Sequence, residues 1–323
     1  MTADGRPAGA RLALVVATSE YQDPALRRLR APAHDAVALA TVLADPRIGG
    51  FTVTPVLDRT EREIRLAVAD FLDGRNTDDL VLLYLSCHGL LNQRRELYFA
   101  ATDTRKSRLA ATAVQAQWLS AQLDECRARQ QILILDCCFS GAFARGAKAD
   151  GDLNLQHLLA EQARGRVVLT ASRSTEYSFE GDPVADGPAA GSVFTTALVE
   201  GMRTGAADTD GDGTISVDEA FDYACRQVRA HGSDQTPQRW LLGGEGRLVL
   251  ARRLESPVSA ARALRSEVRP PEPAGAPSMP PPRPGSASPP ARVRPASAWV
   301  LLGLVAAAIV LVIVVNAVMT RLR

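Results

Sequence analysis

Net charge of either sign is nearly absent from this chain: 37 Lys and Arg stand against 36 Asp and Glu, leaving +1. That balance excludes bulk attraction to nucleic acid or to an acidic membrane surface, both of which need an excess of one sign. An even, spaced set of cysteines is missing as well. Five are present, at 87, 126, 137, 138 and 225, and two of these are adjacent. Such a set makes a poor disulfide framework. It fits a reducing compartment, where most thiols pack as small buried hydrophobes. The opening MTADGRPAGA has neither an apolar run nor a small-residue cleavage site, so no signal peptide is expected there. No internal repeat is visible.

What is present is unevenly distributed. With 323 residues, 46% of them hydrophobic, the chain can bury a sizeable core. Residues 256–297 hold 12 of the 20 prolines, mixed with Ala, Ser, Gly and Arg. A segment of that composition cannot bury enough apolar surface to fold and reads as a semi-extended spacer. Residues 299–319 read WVLLGLVAAAIVLVIVVNAVM, without a charge and with Asn316 alone as a polar amide. A run of this length spans a hydrocarbon core of roughly 30 Å and is expected to be a transmembrane helix. The expected organisation is a globular domain at 10–253, a Pro-rich linker at 254–297 and a membrane helix at 298–319. The localisation expected from it is a single-pass C-terminal anchor in the cell membrane, with the globular domain cytoplasmic.

Within 10–253, apolar runs of strand length fall at 12–17, 51–57, 79–86, 131–136 and 166–171. Runs apolar on both faces imply a parallel sheet covered on both sides. Helical patterns lie between them at 33–44, 60–72, 115–127 and 193–202. The second opens as a capping box, Thr60 with Glu63 three residues on. The run 247–251 is expected to close the sheet as an edge strand. The alternation defines an α/β class with helices on both faces, and function in such sheets gathers at the carboxyl ends of the strands.

Two of those strand ends carry chemistry. One run passes into Ser86-Cys87-His88-Gly89, and another into Asp136-Cys137-Cys138-Phe139-Ser140-Gly141. A free thiol has a pKa of about 8.5 and needs a neighbouring imidazole to supply thiolate at neutral pH. Gly89 leaves room for a carbonyl oxygen to reach backbone amides, so its N–H and that of Cys138 are the oxyanion candidates. His34, His157 and His231 have no such setting and read as surface or loop residues. Residue pattern alone leaves Cys137 and Cys138 as alternative nucleophiles.

These motifs resemble the caspase and metacaspase superfamily. Ser86-Cys87-His88-Gly89 is similar to the Ser-Gly-His-Gly loop of metacaspases, and Asp136-Cys137-Cys138-Phe139-Ser140-Gly141 to their Asp-x-Cys-His-Ser-Gly loop. The His-to-Cys separation of 50 residues matches the roughly 50 seen in caspases. Ser19-Glu20-Tyr21 with Ala33-His34-Asp35-Ala36, Leu169-Thr170-Ala171-Ser172 and Gly191-Ser192-Val193-Phe194-Thr195 extend the likeness along most of 10–253. It looks nearest to actinobacterial caspase-like modules of multi-component conflict or signalling systems. The resemblance implies a caspase-like three-layer sandwich with a mostly parallel six-stranded sheet. It also implies a cysteine endopeptidase with His88 as base, Cys138 as nucleophile and a polypeptide as substrate. Companion proteins of such a system would be its partners. Phe139 and Cys87 depart from the family's usual His and Gly, which puts the shape of the pocket in question.

By the same resemblance Asp136 stands where Asp-directed caspases have Gln. Asp103, after Leu97-Tyr98-Phe99-Ala100, resembles the acidic residue of the metacaspase first specificity pocket. Together they imply cleavage after Arg or Lys, because two buried carboxylates suit a guanidinium or ammonium. The other reading of Asp136 is a strand-end cap. Residues 208–219, DTDGDGTISVDE, independently fit a twelve-residue calcium loop. Asp208, Asp210 and Asp212 take positions 1, 3 and 5, Gly213 the turn, Thr214 a carbonyl, Ser216 position 9 and Glu219 position 12. No cofactor is expected for the chemistry itself; Ca²⁺ would be a structural clip or a switch. Two other functions stand beside the peptidase: a silent adaptor that keeps the fold, and a calcium-binding membrane scaffold.

Overall fold

The computed structural model describes residues 9–140, 165–171, 191–233, 235–243 and 247–254. The chain opens with β1 (Arg11–Ala17), α1 (Ala31–Ala44), β2 (Thr52–Leu57), α2 (Glu61–Leu72) and the long β3 (Leu80–Leu91). A short β4 (Leu97–Phe99), α3 (Leu109–Thr112) and β5 (Val114–Gln115) lead into α4 (Ala116–Glu125) and β6 (Gln130–Ser140). After β7 (Arg166–Thr170) come α5 (Val193–Thr204), β8 (Thr214–Ser216), α6 (Val217–Ala230), β9 (Gln238–Leu242) and β10 (Val249–Arg252).

The main sheet has eight strands rather than the expected six: its path runs β2-β1-β3-β6-β7-β9, and the short β4 and β5 add to it because β3 runs on past its ladder with β1 to pair with β4. Every pairing along the path is parallel except that of β9 with β7. Successive residues of a strand face opposite sides, and the two sides are packed by different helices. Leu82, Tyr84, Ile132 and Ile134 join α1, α5 and α6 through Leu39, Leu43, Phe194, Leu198, Phe221 and Val228. Leu83, Leu85, Leu133 and Leu135 join α2 and α4 through Ile64, Val68, Leu119 and Leu123. The result is helix, sheet and helix in three layers, with β3 and β6 at the centre and dry on both faces. The expected capping box forms: Thr60 Oγ1 accepts from the Glu63 amide, and Glu63 Oε2 accepts from the Thr60 amide at 2.9 Å.

One expected strand joins a different partner. The run at 247–251 does not close the main sheet; β10 pairs antiparallel with β8 in a separate two-stranded sheet. The strand that ends the main path beyond β7 is β9, whose sequence QRWLL alternates more and less exposed residues. A strand covered on one face only never reads as a continuous apolar run, which is why the pattern passed over it. No helix among the described residues is long and apolar enough to cross a membrane. The expected linker beyond Leu254 and the expected membrane helix at 298–319 lie outside the described residues.

Candidate active site

β3 and β6 lie side by side, and their register pairs Ser86 with Asp136, Cys87 with Cys137 and His88 with Cys138. Parallel strands are about 4.8 Å apart. Fifty residues of sequence therefore collapse to one rung of the ladder. Positions alternate between the two layers: Tyr84 and Ile134 belong to the α1 side, Cys87 and Cys137 to the α2 side. Position 138 falls on the His88 face of the ladder, and Cys137 does not. Cys137 is buried with its Sγ 3.6 Å from Cys87 Sγ and 3.5 Å from the Leu85 carbonyl, to which it donates. Burial pushes its thiol well above the ordinary range, with the neighbouring Cys87 adding to the effect. Of the two adjacent cysteines, only Cys138 shares the rung and face of the imidazole.

One backbone carbonyl and one side chain of the β1–α1 connection fix His88. Its Nε2 lies 2.8 Å from the Arg27 carbonyl, and its ring centroid 4.9 Å from that of Tyr21. The Tyr21 hydroxyl donates to the Thr18 carbonyl at 2.8 Å and accepts from the His88 amide at 3.2 Å. A carbonyl can only accept, so Nε2 carries the hydrogen and Nδ1 is the acceptor nitrogen of the neutral ring. The His88 carbonyl accepts from Ala100 at 2.9 Å. Both backbone groups of His88 thus face away from β6, and by strand alternation the N–H of Gly89 faces toward it. Gly89 pairs with Phe139, one rung beyond Cys138.

On the same face lies an acidic pair. Asp136 Oδ2 accepts from Thr195 Oγ1 at 2.6 Å and from the Tyr84 hydroxyl at 3.3 Å, and Oδ1 accepts from Ser192 Oγ at 3.0 Å. Burial raises the Asp136 carboxyl, and those three hydroxyl donors oppose the rise. Asp35, in the second turn of α1 and 1% exposed, accepts from the Ser192 amide at 2.8 Å. Burial lifts it from 3.8 to about 6, opposed by the Ser192 hydrogen bond and reinforced by the charge of Asp136. Gly191 is required here, because a Cβ at that position would overlap Asp35 Oδ1.

The acid expected beside Asp136 was Asp103, and the structure places it elsewhere. Asp103 Oδ1 accepts from the Glu61 amide at 2.8 Å, capping the first turn of α2 in the opposite layer. The reason is the path of the chain after β4: the Thr102 amide donates to the Arg59 carbonyl at 3.1 Å and draws this loop to the α2 start. The acid that shares Ser192 with Asp136 is Asp35. Its signal was available, since it sits on the buried stripe of α1 with Pro32, Ala36, Leu39 and Leu43. An acid on an apolar stripe is unusual enough to mark a site. Tyr21, the Arg27 carbonyl, Tyr84, Ser192 and Thr195 had no comparable local signal.

The acidic loop is gathered as a cation loop would be. Oxygens of Asp208, Asp210 and Asp212 lie within 4.8 Å of one another, and Gly211 and Gly213 take φ of 75° and 85°. Its charges are also met from within the chain. Arg247 contacts Asp212, Asp210 at 3.3 Å and Glu219 at 2.7 Å, and Arg253 lies 3.5 Å from Asp208. Burial alone would raise the Glu219 carboxyl, but Ser216 and the Arg247 guanidinium outweigh it and hold it well below its ordinary range. Thr214 uses its amide and hydroxyl on Asp212, both at 2.7 Å. The donor set fits a calcium ion, with the Arg247 guanidinium as its competitor.

A three-layer α/β sheet that seats His and Cys on one rung at the carboxyl ends of central strands defines a caspase-like fold. The comparisons agree: the Caspase domain family matches residues 10–241, and the chain belongs to it. This is a family of cysteine peptidases. Among solved structures, caspase-1 of the moth Spodoptera frugiperda superposes with a TM-score of 0.52 at 16% identity, covering 77% of this chain and 92% of that one. The pro-form of the same caspase gives 0.52 at 16%, over 76% and 92%. A protein of the bacterium Geobacter sulfurreducens gives 0.53 at 17%, over 73% and 94%. At these identities the likeness is one of fold. No curated protein matches significantly.

Proposed function

We propose that the chain is a cysteine endopeptidase in which Cys138 attacks the scissile carbonyl and His88 is the base. The observation that carries this is the shared rung of His88 and Cys138, with Nε2 held on the Arg27 carbonyl. In the neutral ring Nδ1 then accepts the thiol proton. The thiolate adds to the carbonyl carbon, and the amides of Gly89 and Cys138 receive the developing oxyanion. His88 returns the proton to the leaving amine, and water releases the acyl group by the same route. The test is hydrolysis of fluorogenic peptides by wild type and Cys138→Ala, with labelling of Cys138 by a peptide ketone. Hydrolysis that survives the substitution sinks the mechanism.

The substrate side chain proposed is Arg or Lys. Asp136 and Asp35 support this reading: their donors are hydroxyls and one backbone amide, with His34 Nδ1 3.5 Å from Asp35, and buried carboxylates so placed gain from a guanidinium. Substrates ending in Arg, Lys and Asp decide it, and a preference for Asp overturns it. Three further proposals come from the sequence. Residues 298–319 tether the domain to a membrane, which detergent-dependent fractionation of the full chain tests. The loop 208–219 binds calcium in exchange for Arg247. Calorimetry should then show binding lost in Asp208→Ala and Asp212→Ala and tightened in Arg247→Ala. The enzyme acts with companion proteins of a stress or defence system of the actinobacterial kind, tested by co-purification with proteins encoded beside it.

A further inference from the structure

Cys87 and Cys137 take part in neither the peptidase chemistry nor the acidic pair. They are register partners on β3 and β6, one residue before His88 and Cys138 on the respective strands. They are 6% and 1% exposed, and their sulfurs are 3.6 Å apart. A disulfide requires S–S of about 2.05 Å and Cα atoms about 4.4–6.8 Å apart. Parallel register partners, at about 4.8 Å, lie inside that window. Rotation of the two side chains and a small approach of the strands bring the sulfurs together.

We infer that Cys87 and Cys137 are the two halves of a reversible disulfide that shuts off the site on the opposite face of the same strands. Hydrogen peroxide is the oxidant, small enough to reach a sulfur this enclosed. The Cys87 sulfur, the more exposed of the two, attacks one peroxide oxygen; the O–O bond breaks and leaves a sulfenic acid and one water. The Cys137 sulfur then displaces the sulfenic oxygen, which departs with the thiol proton as a second water. Two thiols and one peroxide give one disulfide and two waters, and a dithiol reductant reverses the step. Closing the sulfurs from 3.6 Å to about 2.05 Å moves the two side chains and the strands that carry them by on the order of 1 Å, one residue from His88 and Cys138. A displacement of that size costs a positioned pair about 10²-fold in rate. The loss of activity rests on the peptidase reading; the disulfide itself does not.

The experiment has two arms on the full-length chain. Cys138→Ser is treated with hydrogen peroxide and digested, so that Cys137 is the only cysteine left in its peptide. Mass spectrometry should find that peptide linked to the one holding Cys87, and the link should vanish with dithiothreitol. Links to Cys126 or Cys225 instead, or none, overturn the disulfide. In the second arm, wild type and Cys87→Ala are oxidised with Cys138 shielded by a reversible peptide aldehyde, which is then diluted away. Wild type should lose about 10²-fold in activity and recover with dithiothreitol, while Cys87→Ala keeps its activity. Cys137→Ala serves the same purpose if Cys87→Ala does not fold. A linked wild type with undiminished activity overturns the switch. An untreated wild type without activity sinks the peptidase reading and the switch with it, and leaves the linkage decided by the first arm.

Discussion

On the two faces of the β3–β6 pair, neighbouring residues meet opposite surroundings. One face carries His88 with the Arg27 carbonyl and Tyr21 against it, and Asp136 with Ser192, Thr195 and Tyr84 around its carboxylate. The other carries Cys87 and Cys137, packed with Leu83, Leu85, Leu133 and Leu135 under α2 and α4. A single step along β6, from 137 to 138, passes from a thiol that burial holds protonated to a position beside an imidazole. Residue type is the same in both places. The difference teaches that the face, rather than the residue type, decides whether a cysteine here stands beside the imidazole or is packed against a second thiol.

The sharpest way to break that contrast is to delete each thiol in turn. Cys138→Ala should lower peptide hydrolysis by at least about 10³-fold, because the covalent route disappears. Cys137→Ala should stay within about threefold of wild type in the same assay, since transition-state stabilisation is lost only with a group that touches the reacting atoms. Comparable losses in both would abolish the distinction between the faces. Packing on the thiol face is tested next by Leu135→Ala. Leu135 is fully buried, so its truncation should cost about 2–5 kcal/mol in urea unfolding, with KM unchanged.

Smaller effects sharpen the polar face. Asp136→Asn should lower kcat/KM for an Arg peptide by about 10–100-fold, the worth of a charge-assisted hydrogen bond of about 1.5–3 kcal/mol. A neutral peptide should be affected far less. The smallest effect is on pH dependence. Asp35 rises from 3.8 to about 6 on folding because burial disfavours its charged form. The folded state thus holds this proton more tightly. The stabilisation is fully present below the unfolded value of 3.8 and is lost as pH rises through about 6. Urea melts stepped across that window should show stability falling with pH in wild type and a flatter profile in Asp35→Asn. Binding of an Arg peptide should move the opposite way, tightening as Asp35 ionises.

Much of this was legible along the chain because it is local. Continuous apolar runs marked β1, β3, β6 and β7, and the Thr60–Glu63 capping box marked the start of α2. Gly211 and Gly213 marked the turns of the acidic loop. β9 was not legible, because an edge strand half open to water carries no long apolar run, and β10 was assigned to the wrong sheet for want of its partner β8. Asp103 and Asp35 show the same limit at the site. Each is an acid near a strand or helix end, and only the path of the chain after β4 sends one to cap α2 and leaves the other beside Ser192 and Asp136.

By itself the sequence determined the α/β alternation, the pairing of a His-Gly with an Asp-x-Cys at two strand ends, and therefore the family. These follow from periodicity and short-range chemistry, which a linear chain displays directly. Only the tertiary structure decided which cysteine shares a rung with His88, which carbonyl holds the imidazole, which acid joins Asp136 and that Cys87 meets Cys137. Those facts depend on strand register and on segments dozens of residues apart, and a shift of one residue along a strand reverses every one of them by turning each side chain to the other face.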